Sequence, residues 1–230
     1  MQPVNPYTRM QEKYYDNEGS TGNMNRVNHR NHNNNPEYWS ILVKDTESGF
    51  NDKIGLDFGC GCGRNVINLA NRFKRFDGVD ISLELVNTSR NNLSIIGYSE
   101  PKVNFYKCNG VSLDILPSNI YDFIMSTIVL QHICVHEIRF NYFKEFFRIM
   151  KSGGLLSFQM GFGAKDKSVS YYDNYYEATS TNSGCDVRIE NPSHLTSDLE
   201  KIGFINIGYV IRDAWDDSHS NWIYVKAYKP

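Results

Sequence analysis

The stretch LDFGCGCGRN, residues 56–65, is the most informative part of this 230-residue chain, because it joins an apolar strand pattern to a helical pattern. Gly59, Gly61 and Gly63 alternate there with small residues, which can build neither a core nor a regular helix. Glycines at a strand-to-helix turn let a ligand touch the bare backbone at the carboxyl edge of a sheet. The turn therefore predicts a site for a nucleotide-like ligand, with a metal bound by the nearby cysteines as the competing interpretation.

Five residues around this turn decide between those ligands. Asp57 places a carboxylate at the end of the first strand, and Asp80 ends the second strand, where it can accept both hydroxyls of a ribose. The dinucleotide fingerprint fails, because its third position is Arg64, a large charged residue that spoils close helix–strand packing. Cys60 and Cys62 are separated by one residue, which is poor spacing for chelation. We expect these cysteines to serve as small residues and expect no metal.

Outward from the turn, strand and helix patterns alternate, which is typical of a parallel sheet covered on both faces. The strand patterns lie at 53–58, 76–80, 102–108, 121–130 and 155–161, and the helical patterns at 64–73, 82–96 and 136–150. The end of the chain differs. Ser193 is predicted to cap a helix that Gly203 ends, and the strands at 204–211 and 221–229 follow without a crossover helix, so they should pair antiparallel.

Length, charge and cysteine content limit the class of protein. The length fits one domain, and a formal net charge of −2 argues against a dedicated nucleic-acid partner. Five cysteines form an odd set that suits a reducing compartment. No signal-peptide or membrane-span pattern is present in the sequence. We expect a soluble, cytoplasmic protein with no membrane partner.

The chain is predicted to divide into an N-terminal arm and helix at 1–52, which caps the active site, and a main domain at 53–230. The first 35 residues are polar and rich in asparagine, which indicates a weakly folding segment that orders only by docking. A polar, tyrosine-rich segment at about 164–192 is too long for a simple connection and is predicted to be a lid-like insertion. DAWDDSH, 213–219, is predicted to be a solvated turn.

Together these stretches resemble the class I S-adenosylmethionine-dependent methyltransferases over about residues 53–163 and 193–229. LDFGCGCGRN is similar to that family's first motif, GVDIS at 78–82 to its ribose-binding motif, and YDFIMSTIVLQHI at 121–133 to its fourth-strand motif. KSGGLLSF resembles the turn into strand five, and the last two strands resemble the antiparallel pair that distinguishes the family from dehydrogenases. The resemblance implies an α/β fold: a Rossmann-like, doubly wound, seven-stranded sheet, mostly parallel with an antiparallel last strand and helices on both faces.

The implied cofactor is S-adenosylmethionine, with S-adenosylhomocysteine as product. The resemblance implies that the turn binds the methionine portion and that Asp80 binds the ribose. It also implies that Ile81 and the pair Asn109–Gly110 contact the adenine. In that pair Asn replaces the acid usual in the family. The two residues that end strand four would lie beside the sulfonium. The implied cofactor-binding residues are Asp57, Gly59, Cys60, Gly61, Arg64, Asp80, Ile81, Asn109, Gly110, Ser126 and Thr127.

His132, just past strand four, is the candidate catalytic base, because its ordinary pKa lies near working pH; a structural or substrate-contacting histidine is the alternative. The residues predicted to contact substrate are Tyr38, Trp39, His132, Tyr171, Tyr172, Tyr175 and Tyr176. STIVL at 126–130 lacks the Pro-Pro-aromatic signature of base N-methylation and the acids of metal-dependent catechol methylation. A compact, near-neutral chain favours a small-molecule acceptor that attacks through O or N.

Two other functions stay open from the sequence. A nicotinamide-dependent oxidoreductase shares the strand–helix alternation, although Arg64 and the antiparallel end disfavour it. A methyltransferase-like fold could also bind the cofactor without catalysis, or act on a protein or tRNA. The acceptor and the oligomeric state are not determined by these patterns.

Overall fold

The computed structural model describes residues 6–20, 36–47, 49–96, 102–163, 167–177, 186–214 and 219–230. Seven strands form one sheet in the order β3–β2–β1–β4–β5–β9–β8, and β6 pairs with β7 in a separate two-stranded sheet. The strands are β1 (Ile54–Phe58), β2 (Arg75–Asp80), β3 (Phe105–Lys107), β4 (Tyr121–Thr127), β5 (Met150–Phe162), β6 (Ser168–Ser170), β7 (Asp186–Arg188), β8 (Ile205–Asp213) and β9 (Asn221–Tyr228).

The pairing within the large sheet confirms the predicted mixed topology. Strands β1 to β5 pair in parallel, whereas β9 lies antiparallel to both β5 and β8. The hairpin of β8 and β9 follows from their short connection, since antiparallel strands need no crossover helix. The sheet is therefore Rossmann-like, with the carboxyl ends of its parallel strands along one edge.

The helices within the described residues are α1 (Pro6–Ser20), α2 (Pro36–Val43), α3 (Arg64–Leu69), α4 (Leu83–Ile96), α5 (His136–Ile149) and α6 (Ser193–Ile202). Alternate residues of β4 enter two separate cores: Ile124 packs in one, and Phe123 and Met125 pack in the other. One core includes the apolar face of α5, and the other includes that of α3. Side chains that alternate along a strand point to opposite faces, so both faces of the sheet are covered.

Helix boundaries follow local capping chemistry. The Ser82 hydroxyl accepts the backbone N–H of Leu85 at 3.1 Å, as predicted for the start of α4. Gly203 ends α6 with a φ of +112°, which favours glycine. The prediction that Ser193 caps α6 is wrong, because Ser193 is the first residue of the helix and Pro192 occupies the N-cap position; the Asn191 carboxamide oxygen accepts the Ser193 N–H at 3.0 Å.

The N-terminal segment is ordered over α1 because it docks. The Tyr7 hydroxyl accepts the N–H of Cys134 at 2.7 Å, and the Gln11 amide donates to the carbonyl of His132 at 2.8 Å. Farther along α1, the Ser82 hydroxyl donates to Asp16 at 2.6 Å. Composition predicted a weak arm, and these tertiary contacts supply the order that composition lacks. Residues 1–5 and 21–35 lie outside the described residues.

The predicted insertion, 164–192, contributes β6, β7 and the segment between Tyr171 and Glu177, while 164–166 and 178–185 lie outside the described residues. β6 and β7 pair in parallel with Ser168 opposite Asp186. This pairing brings the start of β7 toward the carboxyl edge of the large sheet. None of the helices in the described parts of the chain is long and apolar enough to cross a membrane.

Candidate active site

A cavity of about 660 Å³ lies at the carboxyl ends of β1, β2 and β4, beneath α1. Ligands of open α/β sheets bind at this edge, and the volume lies within the range of small-molecule sites. Its walls come from the β1–α3 turn, the residues that end β2 and β4, one side of α1, and the start of β7. The sequence-predicted residues that line it are Gly59, Cys60, Gly61, Arg64, Asp80, Ile81, Gly110, Thr127 and His132.

The glycine turn is held by backbone hydrogen bonds to the end of β2. Gly59 has a φ of +72°, and its N–H donates to the carbonyl of Val79 at 2.8 Å. A Cβ at Gly59 would come within 2.3 Å of the Val129 side chain, so no larger residue fits. The N–H of Gly61 donates to the Asp80 carboxylate at 2.9 Å. Glycine alone tolerates both the positive φ and the close approach of Val129, so the turn presents bare backbone to the cavity.

Asp80 joins this turn to the start of α4. One carboxylate oxygen accepts the Gly61 N–H, and the other accepts the Ser82 N–H at 2.9 Å. Burial raises the pKa of Asp80, and these backbone donors oppose the rise. A carboxylate has about four acceptor positions, so capacity remains for further donors from the cavity. The geometry fits a diol such as that of a ribose.

Asp57 lies behind the cavity wall, next to Phe58, and is fully buried. Neither of its oxygens accepts a hydrogen bond of normal geometry from the described residues. Burial raises the pKa of Asp57 to about 7, against the opposing influence of the Asn65 amide and the Arg64 charge. A cationic group at the cavity floor would stabilise the ionised form of this buried carboxyl.

The two cysteines of the turn serve as small buried side chains. Burial, followed by the charge of Asp80, raises the pKa of Cys60 well above its ordinary value, so the thiol stays protonated. A Cβ at Gly78 would lie 2.8 Å from the Cys60 sulfur, which shows how closely the turn packs on β2. Among the described residues, no group of three His, Cys, Asp or Glu side chains is placed to hold a metal.

Of the three residues predicted to contact the adenine, two line the cavity and one does not. Ile81 and Gly110 line the cavity, and a Cβ at Gly110 would lie 2.7 Å from the Ile81 side chain. The Asn109 side chain is turned into its own loop: its oxygen accepts the N–H groups of Val111 and Ser112, and its amide nitrogen donates to the Ser112 hydroxyl. Asn109 is exposed and does not line the cavity. Its amide shapes the loop that carries Gly110.

The end of β4 forms the opposite wall. Thr127 faces the cavity, whereas the buried Ser126 hydroxyl donates to the carbonyl of Phe58 at 3.0 Å and ties β4 to β1. Ile128 follows with a φ of +57°, an unusual conformation for a β-branched residue, and its N–H donates to the Gln159 side chain at 2.9 Å. Such strain, held by its surroundings, is typical of functional sites.

One side of α1 covers the cavity and was not predicted from the sequence as a set of site residues. The helical spacing of aromatic and polar residues in YTRMQEKYYDNE, 7–18, is the signal that could have found it. Its cavity-lining residues are Tyr7, Gln11, Tyr14, Tyr15 and Glu18.

His132 lines the cavity beside a carboxylate that sequence reasoning missed. Its Nδ1 lies 2.7 Å from the carboxylate of Asp186, which also lines the cavity. His219 lies on the other side of Asp186, with its Nε2 at 3.1 Å. The expected solvated turn is therefore wrong at His219, which is 5% exposed; residues 215–218 lie outside the described residues. A single aspartate in a polar insertion gives no sequence signal of this contact.

Among the described side chains, none of the aromatic residues predicted to contact substrate lines the cavity. Trp39 packs in a core cluster with the Arg72 guanidinium over its ring, and the Tyr171 hydroxyl donates to the buried Asp198 at 2.9 Å. Tyr172 and Tyr175 are exposed. Tyr176 contacts α1, with its ring centroid 6.1 Å from that of Tyr7. The Tyr38 side chain lies outside the described residues.

Residues 56–158 match the family model of a methyltransferase domain, and no curated protein matches the sequence. The solved geranyl diphosphate C-methyltransferase of Streptomyces coelicolor A3(2), in complex with Mg²⁺, geranyl diphosphate and S-adenosylhomocysteine, has a TM-score of 0.70 at 13% identity over 100% of both chains. The [4+2]-cyclase SpnF has a TM-score of 0.63 at 17% identity, with 85% of this chain and 82% of that chain covered.

A third solved structure is the phosphoethanolamine N-methyltransferase 2 of Haemonchus contortus in complex with S-adenosyl-L-methionine. It has a TM-score of 0.62 at 18% identity, with 82% of this chain and 51% of that chain covered, so the present chain spans about half its length. At these identities the three structures show the fold alone. The family match over residues 56–158 and the seven-stranded sheet around it support a class I S-adenosylmethionine-dependent methyltransferase.

Proposed function

We propose that the cavity binds S-adenosylmethionine together with a small-molecule acceptor, and that the chain methylates an oxygen or nitrogen of that acceptor. The observation that carries the proposal is the bare glycine turn, bracketed by Asp57 and Asp80, at the floor of a covered cavity of about 660 Å³. When bound, S-adenosylmethionine supplies a methyl group that is already activated by positively charged sulfur.

The residues present fit that cofactor. The buried Asp57 carboxylate accepts no hydrogen bond of normal geometry from the described residues, which suits the ammonium of an amino acid, and Arg64 at the start of α3 suits its carboxylate. Asp80 suits the ribose, and Ile81 and Gly110, which line the cavity, suit the adenine. These roles for the predicted residues are part of the proposal.

The remaining walls define the acceptor side. Tyr14, Tyr15 and Glu18 of α1 face the cavity, as do His132 and Asp186 from the opposite side. The cavity of about 660 Å³, covered on one side by α1, favours a small molecule over a protein or tRNA acceptor. Holding two reactants in line can contribute about 7–11 kcal/mol to such a transfer. We propose that these residues exclude water and align the acceptor.

His132 is proposed to act on the acceptor's proton. Because its Nδ1 faces Asp186, its Nε2 is the atom that would accept a proton from a hydroxyl or amine. A base of this kind typically contributes about 10²–10⁴-fold to the rate. The C-methyltransferase and the cyclase that share the fold are reasons to test the attacking atom directly. The cytoplasmic location expected from the cysteines belongs to the same proposal.

Calorimetry with S-adenosylhomocysteine and with NADH tests the cofactor, and radiolabelled S-adenosylmethionine with a metabolite extract tests the transfer. We expect S-adenosylhomocysteine alone to bind, and label to enter a small-molecule fraction. Asp80→Ala should weaken binding of S-adenosylhomocysteine, while Asp114→Ala, outside the cavity lining, should not. Binding of NADH, or label only in protein or RNA, would contradict the proposal.

A further inference from the structure

Three side chains from distant parts of the chain form a continuous line that ends at the cavity. His132 follows β4, Asp186 begins β7 in the insertion, and His219 precedes β9. The Nδ1 of His132 lies 2.7 Å from one oxygen of Asp186, and the Nε2 of His219 lies 3.1 Å from the other. Both distances are those of hydrogen bonds, so one carboxylate joins two imidazoles.

Burial fixes the direction of these hydrogen bonds. The side chain of Asp186 is 2% exposed and that of His219 is fully buried. An ionised carboxylate only accepts hydrogen bonds, so both facing ring nitrogens must carry protons. The Nδ1 of His219 is also buried and has no hydrogen-bond partner among the described residues. A bare nitrogen there avoids a buried N–H without an acceptor, which agrees with a proton on Nε2.

The same reasoning sets the tautomer of His132. A proton on Nδ1, donated to Asp186, leaves a lone pair on Nε2. The His132 side chain is 23% exposed and lines the cavity, whereas Asp186 holds its other ring nitrogen. The reactive nitrogen is therefore the one that remains available to an acceptor molecule.

The surrounding fold keeps space for this arrangement. A Cβ at Gly161 in β5 would lie 2.3 Å from three atoms of the His219 ring, so only glycine there admits the imidazole. The ring of Trp222 lies on His219, with the two centroids 5.3 Å apart. The backbone of His132 is held separately, because its carbonyl accepts the Gln11 amide of α1. The hydrogen-bonded chain of His132, Asp186 and His219 is thus held in place at both histidines.

We propose that Asp186, itself held by His219, is a positioning residue that sets the tautomer and orientation of His132 for proton removal. In that step the acceptor's O–H or N–H bond breaks, its proton bonds to Nε2, and the electron pair stays on the acceptor. Asp186 stabilises the imidazolium that forms, and the insertion therefore completes the catalytic site. This inference rests on the proposed role of His132 as the base.

The first test is the tautomer of His132 in the full-length protein, measured from imidazole ¹⁵N chemical shifts with His132→Gln to assign the signals. We expect Nδ1 to be protonated and Nε2 to be bare at neutral pH. A proton on Nε2, with Nδ1 bare, would overturn the inference without any need for activity or a known acceptor.

The second test is Asp186→Asn, because the two histidines face different oxygens of Asp186 and a carboxamide replaces one of these acceptors with an NH2 donor. Glu190→Gln is the matched control, since it removes an exposed carboxylate of the same insertion. With labelled S-adenosylmethionine, we expect kcat to fall by about 10²–10⁴-fold in Asp186→Asn. We also expect an altered tautomer at one of the two histidines and unchanged affinity for S-adenosylhomocysteine. Glu190→Gln should match the wild type.

The outcomes separate this inference from the proposed function. If the wild type binds S-adenosylhomocysteine and transfers methyl groups, but Asp186→Asn keeps its rate and the tautomers, then the positioning role is wrong and the function stands. If the wild type transfers no methyl group, the proposed function fails, while the tautomer of His132 still tests the hydrogen-bonded line. Should Asp186→Asn fail to fold, the wild-type tautomer measurement decides alone.

Discussion

Replacing Asp57 by Asn should stabilise the unliganded protein at alkaline pH, although it removes a group proposed to bind the cofactor. Asp57 is fully buried, its oxygens accept no hydrogen bond of normal geometry from the described residues, and burial raises its pKa to about 7. A buried carboxyl with a raised pKa costs stability when it ionises. The unfolded chain, with an ordinary pKa of 3.8, does not share that cost.

The sign and size of the change in stability follow from the difference between the folded and unfolded pKa values of Asp57. Below the unfolded pKa both states hold the proton, so Asp57→Asn should change little. Between pH 4 and 7 the folded state binds more protons than the unfolded state, and wild-type stability falls as pH rises. The pKa of Asp57 rises from 3.8 in the unfolded chain to about 7 in the folded one. At about 1.4 kcal/mol per pKa unit, this difference sets an upper bound of about 4 kcal/mol on the stability lost when Asp57 ionises. Above pH 7 the full difference should favour Asp57→Asn.

Urea denaturation at pH 4, 6 and 8 measures this difference, and Asp77→Asn is the matched control. Asp77 is equally buried on the neighbouring strand, but it accepts hydrogen bonds from Tyr121 and Asn104 and pairs with Arg75 at 3.1 Å. Its replacement should therefore destabilise the protein by about 1–3 kcal/mol. Burial also raises the pKa of Asp77, but Arg75, Tyr121 and Asn104 oppose that rise, so comparison of the two variants separates the effect of these partners from that of burial.

The same substitution should also weaken binding of the cofactor. If an ammonium group of the cofactor pairs with Asp57, then Asp57→Asn should weaken S-adenosylhomocysteine about 10- to 100-fold, as for loss of a charge-assisted hydrogen bond. The variant would be more stable and bind more weakly. A lower urea midpoint for Asp57→Asn at pH 8, or a difference that stays constant from pH 4 to 8, would refute the reasoning.

Two further predictions concern the turn and α1. Gly59→Ala should abolish binding of S-adenosylhomocysteine in calorimetry, because its Cβ would meet Val129 at 2.3 Å; Gly49→Ala, with a similar φ of +79° and nothing within 4 Å, should keep it. Tyr7→Phe removes the acceptor of the Cys134 N–H, so it should cost about 1–3 kcal/mol in urea denaturation and expose α1 to limited proteolysis. Unchanged proteolysis would show that α1 docks without that hydrogen bond.

Much of the fold could be read from local patterns because local chemistry determines it. Periodicity gave the order of strands and helices, and the lack of a crossover helix before β9 predicted its antiparallel pairing. The floor of the cavity followed for the same reason: Gly59, Gly61 and Asp80 lie close in the chain or at the ends of adjacent strands. The tertiary structure then decided the orientation of single groups, such as Asn109, whose amide turns toward Ser112.

The remaining walls depend on contacts between residues far apart in the sequence. Composition marked the N-terminal segment as weakly folding, yet α1 forms because Tyr7 and Gln11 find backbone partners near residue 133. Asp186 meets His132 and His219 across 54 and 33 residues, and no local pattern specifies such a meeting. Local patterns in the chain were enough to predict the sheet and the floor of the cavity, because backbone propensity and strand order act locally. The cover of the cavity and the partner of His132 depend on long-range packing, because buried polar groups pair with the groups that the completed fold brings beside them.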